Sequence, residues 1–224
     1  MRTDTTFDVK LTKGLRPIAN LPEADGRGAR RESCYPVCCM LILASASPRR
    51  HELLLQAGIE HVVRPSHVLE DRLPNEKPIS FVKRIAEEKA RAATSGPQDV
   101  ILAADTIVVL NGEIFGKPAD EGDAIRTLRL LSGAEHCVYT GICILAEKKT
   151  IVDVAATEVQ FVQLSNKEIE EYVRSGEPVD KAGAYAIQGL ASKFVESIRG
   201  CYHNVVGLPL SLVYGYLKLI GNIS

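Results

Sequence analysis

The chain has 224 residues, 46% of them hydrophobic, and a formal net charge of −1. That length and apolar content suit one domain or a compact two-lobed unit with a real core, and the near-zero charge excludes a global basic footprint for nucleic acid. No apolar run reaches the ~18 residues of a membrane span, and no zinc-type cysteine pairing or H-E-x-x-H motif occurs, so a cytoplasmic protein with reduced thiols is the default expectation.

Residues 1–39, with stretches such as "LRPIANLPEADGRGARRES", are rich in Gly, Pro, Arg and charge and lack a lasting period. They read as a disordered N-terminal extension before a folded unit spanning 40–224. Asp4, Asp8, Glu23 and Asp25 speak against an acidic-poor transit peptide, and "CYPVCC" reads as loop thiols.

The folded part opens on "LILASASPRRHELLLQAG", residues 41–58. Leu41–Ala44 form an unbroken apolar strand. Ser47 then suits an N-cap, Pro48 the first helical position and Gly58 the stop. "HVVRP" (61–65) predicts a short strand, and "ISFVKRIAEEKARAATSG" (79–96) a helix ending in glycine. "DVILAADTIVVLNGEIFG" (99–116) reads as an apolar strand, a polar interruption, a second apolar run and an Asn-Gly turn. "EGDAIRTLRLLSG" (121–133) has helical spacing. Two long β-rich runs follow, "HCVYTGICILAE" and "TIVDVAATEVQFVQL". "SNKEIEEYVRSG" (165–176) carries the capping box Ser165/Glu168 and closes on Gly176. "EPVDKAGAYAIQG" (177–189) is too rich in Gly, Ala and polar residues for a simple core element, "KFVESIRG" predicts a strand and "PLSLVYGYLKLIG" (209–221) a terminal helix. The mixed order predicts α/β with a mixed sheet.

Four places break local rules, as functional sites do. Arg49 and Arg50 fall in the first turn of a helix, where the dipole already disfavours cations. With Ser45 and Ser47 they read either as an anion cradle or as a solvated basic turn. Asp105 interrupts an apolar strand, which is costly unless the carboxylate is paired, metal-bound or turned into a cleft. Lys89 falls near the buried face marked by Phe81, Val82, Ile85 and Ala86, as a working ammonium or a snorkelling stem. Lys117, Asp180 and Lys181 sit in Gly/Pro loops, where binding groups concentrate and surface lysines are also common. Cations beside the separate carboxylates Glu70, Asp71 and Asp105 are what polyphosphate chemistry needs. There is no G-x-x-x-x-G-K-[ST] loop and no G-x-S-x-G elbow.

The segments "LILASASPRRHELL", "AEEKARA", "AADTIV", "GKP", "LSGAEHCVYTG", "SGEPVDKAGAYAIQG" and "GCYHNVVGLPL" occur in one order and spacing. On them the chain resembles the Maf family of nucleoside triphosphate pyrophosphatases, also described as septum-formation inhibitors, from residue 41 to about 220. The resemblance implies a long mixed sheet flanked by helices, with two lobes and a central cleft, similar to inosine triphosphate pyrophosphatases. It implies hydrolysis of a nucleoside triphosphate to the monophosphate and pyrophosphate with a divalent metal cation, Mg²⁺ or Mn²⁺. Asp105 is then the proton acceptor, and a metal ligand as well or instead, with Glu70. Ser45, Ser47, Arg49, Arg50, Lys89, Lys117, Asp180 and Lys181 hold the substrate. Arg49, Thr106 and Gln188 match the branch associated with dTTP and UTP, whereas the branch associated with 7-methyl-GTP carries S-P-W-R-R, S-D-Q and S-E-G. Ala186 stands where many members have glycine. The expected partner is a nucleotide, with no nucleic acid and no membrane, and a homodimer left open. A house-cleaning or cell-division-arrest role accompanies the family, and the rival reading is a non-catalytic nucleotide-binding regulator of division.

Overall fold

The computed structural model describes residues 40–147 and 149–223. The expectation for residues 1–39 lies outside the described residues. In chain order the elements are β1 (Leu41–Leu43), α1 (Pro48–Gln56), β2 (Val62–Val63), α2 (Pro78–Ala92), β3 (Val100–Leu110), β4 (Glu113–Phe115), α3 (Glu121–Leu131), β5 (Glu135–Ala146), β6 (Lys149–Phe161), α4 (Asn166–Arg174), β7 (Val195–Arg199), α5 (Tyr202–Val206) and α6 (Leu210–Leu219). Short 3₁₀ turns fill much of the stretch from Glu177 to Phe194. The strands form one seven-stranded mixed sheet in the order β2-β1-β3-β5-β6-β7, with β4 added to β3. β2, β1 and β3 are parallel, and the remaining pairs are antiparallel. Among the described residues no helix is long and apolar enough to cross a membrane.

Side chains alternate across a strand, and β3 shows what this does. Val100, Leu102, Ala104 and Val108 enter the large core with Leu53 and Leu54 of α1, Leu128 of α3 and Leu217 of α6. Ile101 and Ala103 face Ala86 and Ala90 of α2, and Ile107 faces Val82 and Ile85. Asp105 therefore belongs to the α2 face and Thr106 to the opposite one. α2 can lie this close because β5 carries Gly141, the register partner of Asp105. A Cβ there would sit 2.3 Å from the Val82 carbonyl oxygen, so a larger residue would force the helix off the sheet.

The expected polar interruption is absent: β3 runs unbroken through Asp105 and Thr106, because β5 pairs with it from Ile101 to Val109. The helix expected over 79–96 stops at Ala92, since Ala93 is already extended and Gly96 instead donates to Asp99 Oδ2 at 2.7 Å. Ser47 occupies the N-cap position without using its hydroxyl as a cap. The capping box of α4 forms with both of its bonds.

One buried group links stability to pH. His136 of β5 is 2% exposed, with Nε2 2.9 Å from the Tyr185 hydroxyl and its ring edge-to-face with Phe161 and Tyr185. Burial lowers its pKa from 6.5 to about 4. Between those values the unfolded chain holds a proton that the fold rejects, so stability falls as pH drops through this window and His136 adds nothing further below it. The loss is about 3 kcal/mol, or roughly 6–12 °C in Tm for a chain of this size. Calorimetry from pH 7 to pH 4 should show the decline, and His136→Gln should flatten its upper part. An unchanged slope in that variant would assign the effect to other groups.

Candidate active site

β1 pairs with β3 only from Val100 to Leu102, and β4 pairs with it only from Val108 to Leu110. Among the described strands none covers this edge of β3 between them. The gap lies beyond the carboxyl end of a parallel strand, where ligands of open α/β sheets bind. A cavity of about 750 Å³ opens there. Because it lies along an edge, residues from both faces of β3 reach it.

Every residue singled out from the sequence lines this cavity except Asp71: Ser45, Ser47, Arg49, Arg50, Glu70, Lys89, Asp105, Thr106, Lys117, Asp180, Lys181 and Gln188. Asp71 instead lends its backbone carbonyl to Arg84 at 2.9 Å.

On the α2 side, Asp105 is 5% exposed and Lys89 is 9% exposed. The Lys89 ammonium donates to Asp105 Oδ1 at 2.8 Å and lies 2.7 Å from Glu70 Oε1. One cation thus compensates two carboxylates. Each keeps a second oxygen with no protein partner among the described residues. Partial burial opposes the charge on Glu70, but the bond to Lys89 and the fields of Lys89, Lys117 and Arg50 prevail and hold its carboxyl below its ordinary value. Lys89 therefore turns inward with its ammonium buried and paired, rather than snorkelling to solvent.

On the other face, Arg50 is buried. Its Nε donates to the Gly207 carbonyl at 2.8 Å, and its two terminal nitrogens donate to Ser45 Oγ at 2.9 Å and Thr106 Oγ1 at 3.0 Å. Burial lowers its pKa and the neighbouring Arg49 adds to this, against the attraction of Asp105; a guanidinium stays charged regardless. Thr106 Oγ1 meets Thr140 Oγ1 at 2.9 Å, and Thr140 donates to the Asn204 carbonyl at 3.1 Å. Arg49 turns the other way and pairs with Asp180 at 3.2 Å. The two arginines at the start of α1 thus diverge, one locked into the wall and one at the mouth. Burial resists the charge of Asp180, but Lys181 and Arg49 outweigh it and lower its pKa.

The far wall is the segment from Glu177 to Leu190. The Gly183 N–H donates to the Gly116 carbonyl at 3.0 Å, tying this segment to the loop that carries Lys117. Gly183 has φ +70° and a Cβ there would lie 2.6 Å from Val108 Cγ2, so glycine is required on both counts. Gln188 is exposed between the buried Ile187 and Gly189, and its amide has no hydrogen-bond partner among the described residues.

Thr140 and Tyr185, like the lining residues Ser66, His67 and Arg72, were not singled out from sequence. Thr140 is the register partner of Thr106 and extends its hydroxyl chain; "VYTG" reads as ordinary strand. Tyr185 lines the cavity with its hydroxyl bound to His136; its place in the Gly-rich "AGAYAIQG" was the available signal.

Such a site can hold a polyanion with Arg49, Arg50, Lys117 and Lys181, and can present an ionised carboxylate to a water beside it. A family model described as Maf-like protein matches residues 40–220. The dTTP/UTP pyrophosphatase of Koribacter versatilis (strain Ellin345) is 48% identical over 182 residues, covering 81% of this chain and 94% of its own length. That of Anaeromyxobacter dehalogenans (strain 2CP-1 / ATCC BAA-258) is 51% identical over 185 residues, with the same shares. That of Thermococcus gammatolerans (strain DSM 15229 / JCM 11827 / EJ3) is 48% identical over 180 residues, covering 80% of this chain and 96% of its own. On a family match over residues 40–220 and relatives at about half identity, the chain belongs to the Maf-like protein family.

Proposed function

We propose that this chain hydrolyses nucleoside triphosphates, dTTP and UTP foremost, to the monophosphate and pyrophosphate. The observation that carries the reading is the Glu70–Lys89–Asp105 cluster, held beside Arg49, Arg50 and Lys117 in one cavity. The names of the relatives, dTTP/UTP pyrophosphatase, support the nucleotide class.

In the proposed reaction water attacks the α-phosphorus. The new P–O bond forms as the bond from that phosphorus to the α–β bridging oxygen breaks, and pyrophosphate leaves. Asp105 accepts the proton of the attacking water. The hydrogen bond from Lys89 fixes the orientation of that carboxylate. Arg49, Lys117 and Lys181 hold the triphosphate oxygens, and Arg50 supplies positive potential from the wall.

A divalent cation fits the donor set. Glu70 and Asp105 converge on one ammonium, and each has an uncommitted hard oxygen. One or two carboxylates plus substrate phosphates is the usual complement for Mg²⁺. Among the described residues no group of three or more His, Cys, Asp or Glu side chains could hold a metal alone, so substrate oxygens would complete the shell. When bound there, the cation would neutralise charge developing on the phosphate oxygens.

The test is pyrophosphate release, with Mg²⁺ or Mn²⁺, across dTTP, UTP, CTP, ATP, GTP and 7-methyl-GTP. Uracil and thymine present an N–H donor beside carbonyl acceptors, a pattern that the Gln188 amide complements with one acceptor and one donor. Cytosine reverses that pattern at positions 3 and 4, which the amide would meet only with its oxygen and nitrogen exchanged. We expect kcat/KM for dTTP and UTP to exceed the other nucleotides by at least about tenfold. Gln188→Glu removes the donor and should lower dTTP turnover by a similar factor while the melting temperature holds. Equal turnover of 7-methyl-GTP and dTTP would overturn the base assignment, and absence of pyrophosphate release from every nucleotide would overturn the activity.

A further inference from the structure

Glu177 and Tyr172 do not line the cavity, yet they grip the segment that presents Gln188. The Tyr172 hydroxyl accepts from the Ala186 N–H at 3.2 Å and donates to Glu177 Oε1 at 2.8 Å. Glu177 Oε2 accepts from the Leu190 N–H at 3.0 Å. One continuous chain of hydrogen bonds therefore joins the two ends of the Ala186–Leu190 loop from behind. Within it, Ile187 is buried in the core, and the Gly189 N–H closes back on the Ala186 carbonyl at 3.1 Å. Gln188 is exposed, and its amide has no protein partner among the described residues.

Gly189 makes room for the clasp. A Cβ at this position would lie 2.3 Å from Glu177 Oε2 and 2.4 Å from Oε1. Its φ is −105°, outside the left-handed region, so the backbone alone does not demand glycine; the carboxylate behind it does. The clasp is built on the C-terminal part of α4, where Tyr172 is 3% exposed, so it is anchored to a regular element although the loop is not. Burial and the bond to Glu177 both raise the Tyr172 pKa, so the phenol stays protonated and the direction of the chain is fixed.

We infer that Glu177 and Tyr172 are positioning residues for base selection, holding the loop so that the Gln188 amide meets the nucleobase at a fixed distance. This rests on the proposed reading of Gln188 as the base-contacting residue. Loosening the clasp widens the placement of the amide without touching the phosphate-binding cations or Asp105. The cost falls on binding and on discrimination between pyrimidines rather than on the chemical step.

The test compares Glu177→Gln, Tyr172→Phe, Gly189→Ala and Gln188→Ala in the full chain. Glu177→Gln replaces a double acceptor by an amide, so one donor of the chain is left without an acceptor whichever way the amide turns. Tyr172→Phe removes the hydroxyl with little change in volume and serves if another variant fails to fold. Gly189→Ala pushes on the carboxylate. For each, KM and kcat for UTP and CTP are measured beside the melting temperature. For the three clasp variants we expect KM for UTP to rise about tenfold with kcat within about twofold, and for all four variants the UTP/CTP ratio of kcat/KM to fall about tenfold. Gly189→Ala should add nothing further to selectivity in a Glu177→Ala background. If Gln188→Ala lowers the ratio while the clasp variants preserve it, or lower kcat equally for both nucleotides, the clasp is only structural. If Gln188→Ala itself leaves the ratio unchanged, the base-reading role of Gln188 fails, and this inference fails with it.

Discussion

Replacing Asp105 by asparagine is expected to leave the protein folded and to lower kcat by about 10²–10⁴-fold, the range for loss of a general base. The substitution keeps the shape of the side chain and an oxygen toward Lys89. The ammonium is not orphaned, because Glu70 remains 2.7 Å from it. The melting temperature should therefore move little, and pyrophosphate release from UTP under single-turnover conditions reads the chemical step directly. Turnover near that of the unmodified protein would remove Asp105 from the reaction. A large fall in melting temperature with activity lost in proportion would make it a structural partner of Lys89 instead.

Arg50→Lys should be costly in a different way. The guanidinium reaches three acceptors in different directions, the Gly207 carbonyl, Ser45 Oγ and Thr106 Oγ1, and a lysine ammonium at the end of a flexible stem cannot satisfy that fork. Hydrogen bonds to a charged group contribute about 1.5–3 kcal/mol each. Losing two gives a deficit on the order of 3–6 kcal/mol before relaxation, or roughly 6–24 °C in Tm at this chain length. Activity should fall about 10²-fold, since Arg50 holds the β1–α1 turn against β3 and the loop after α5. Calorimetry and kcat/KM for UTP together decide the matter. Conservation of charge with little change in either quantity would mean that a point charge suffices at this position.

The parts of the site that stood out in the sequence did so because each conflicts with its surroundings. A carboxylate in an apolar strand, a lysine on the inner face of a helix and arginines at a positive helix end each carry a local penalty that needs a reason. Asp105 and Lys89 prove to be the reason for one another. Arg50 was legible as an anomaly but not in its posture: only the fold brings Gly207 and Thr106 within reach, across 157 and 56 residues of sequence. The long strands and α4 were legible from runs and capping. α5 was not, since five residues of "YHNVV" are too few to show a helical period. The segment from Glu177 to Leu190 was recognised as irregular, but its shape comes from side-chain bonds and from glycines whose neighbours are distant, which no local pattern records.

The position of these parts also bears on how such a protein can change over generations. Asp105, Lys89 and Arg50 sit on β3, α2 and α1, where the ladder to β5 and the notch at Gly141 leave little freedom. Gln188 sits on a loop held by a few side chains from behind. On the proposed function, a lineage can therefore accumulate substitutions in that loop and its clasp, drifting toward a new nucleobase, while inheriting the proposed phosphate-binding half unaltered. The reverse route, new chemistry with the old base preference, would require simultaneous changes in the most tightly constrained part of the sheet.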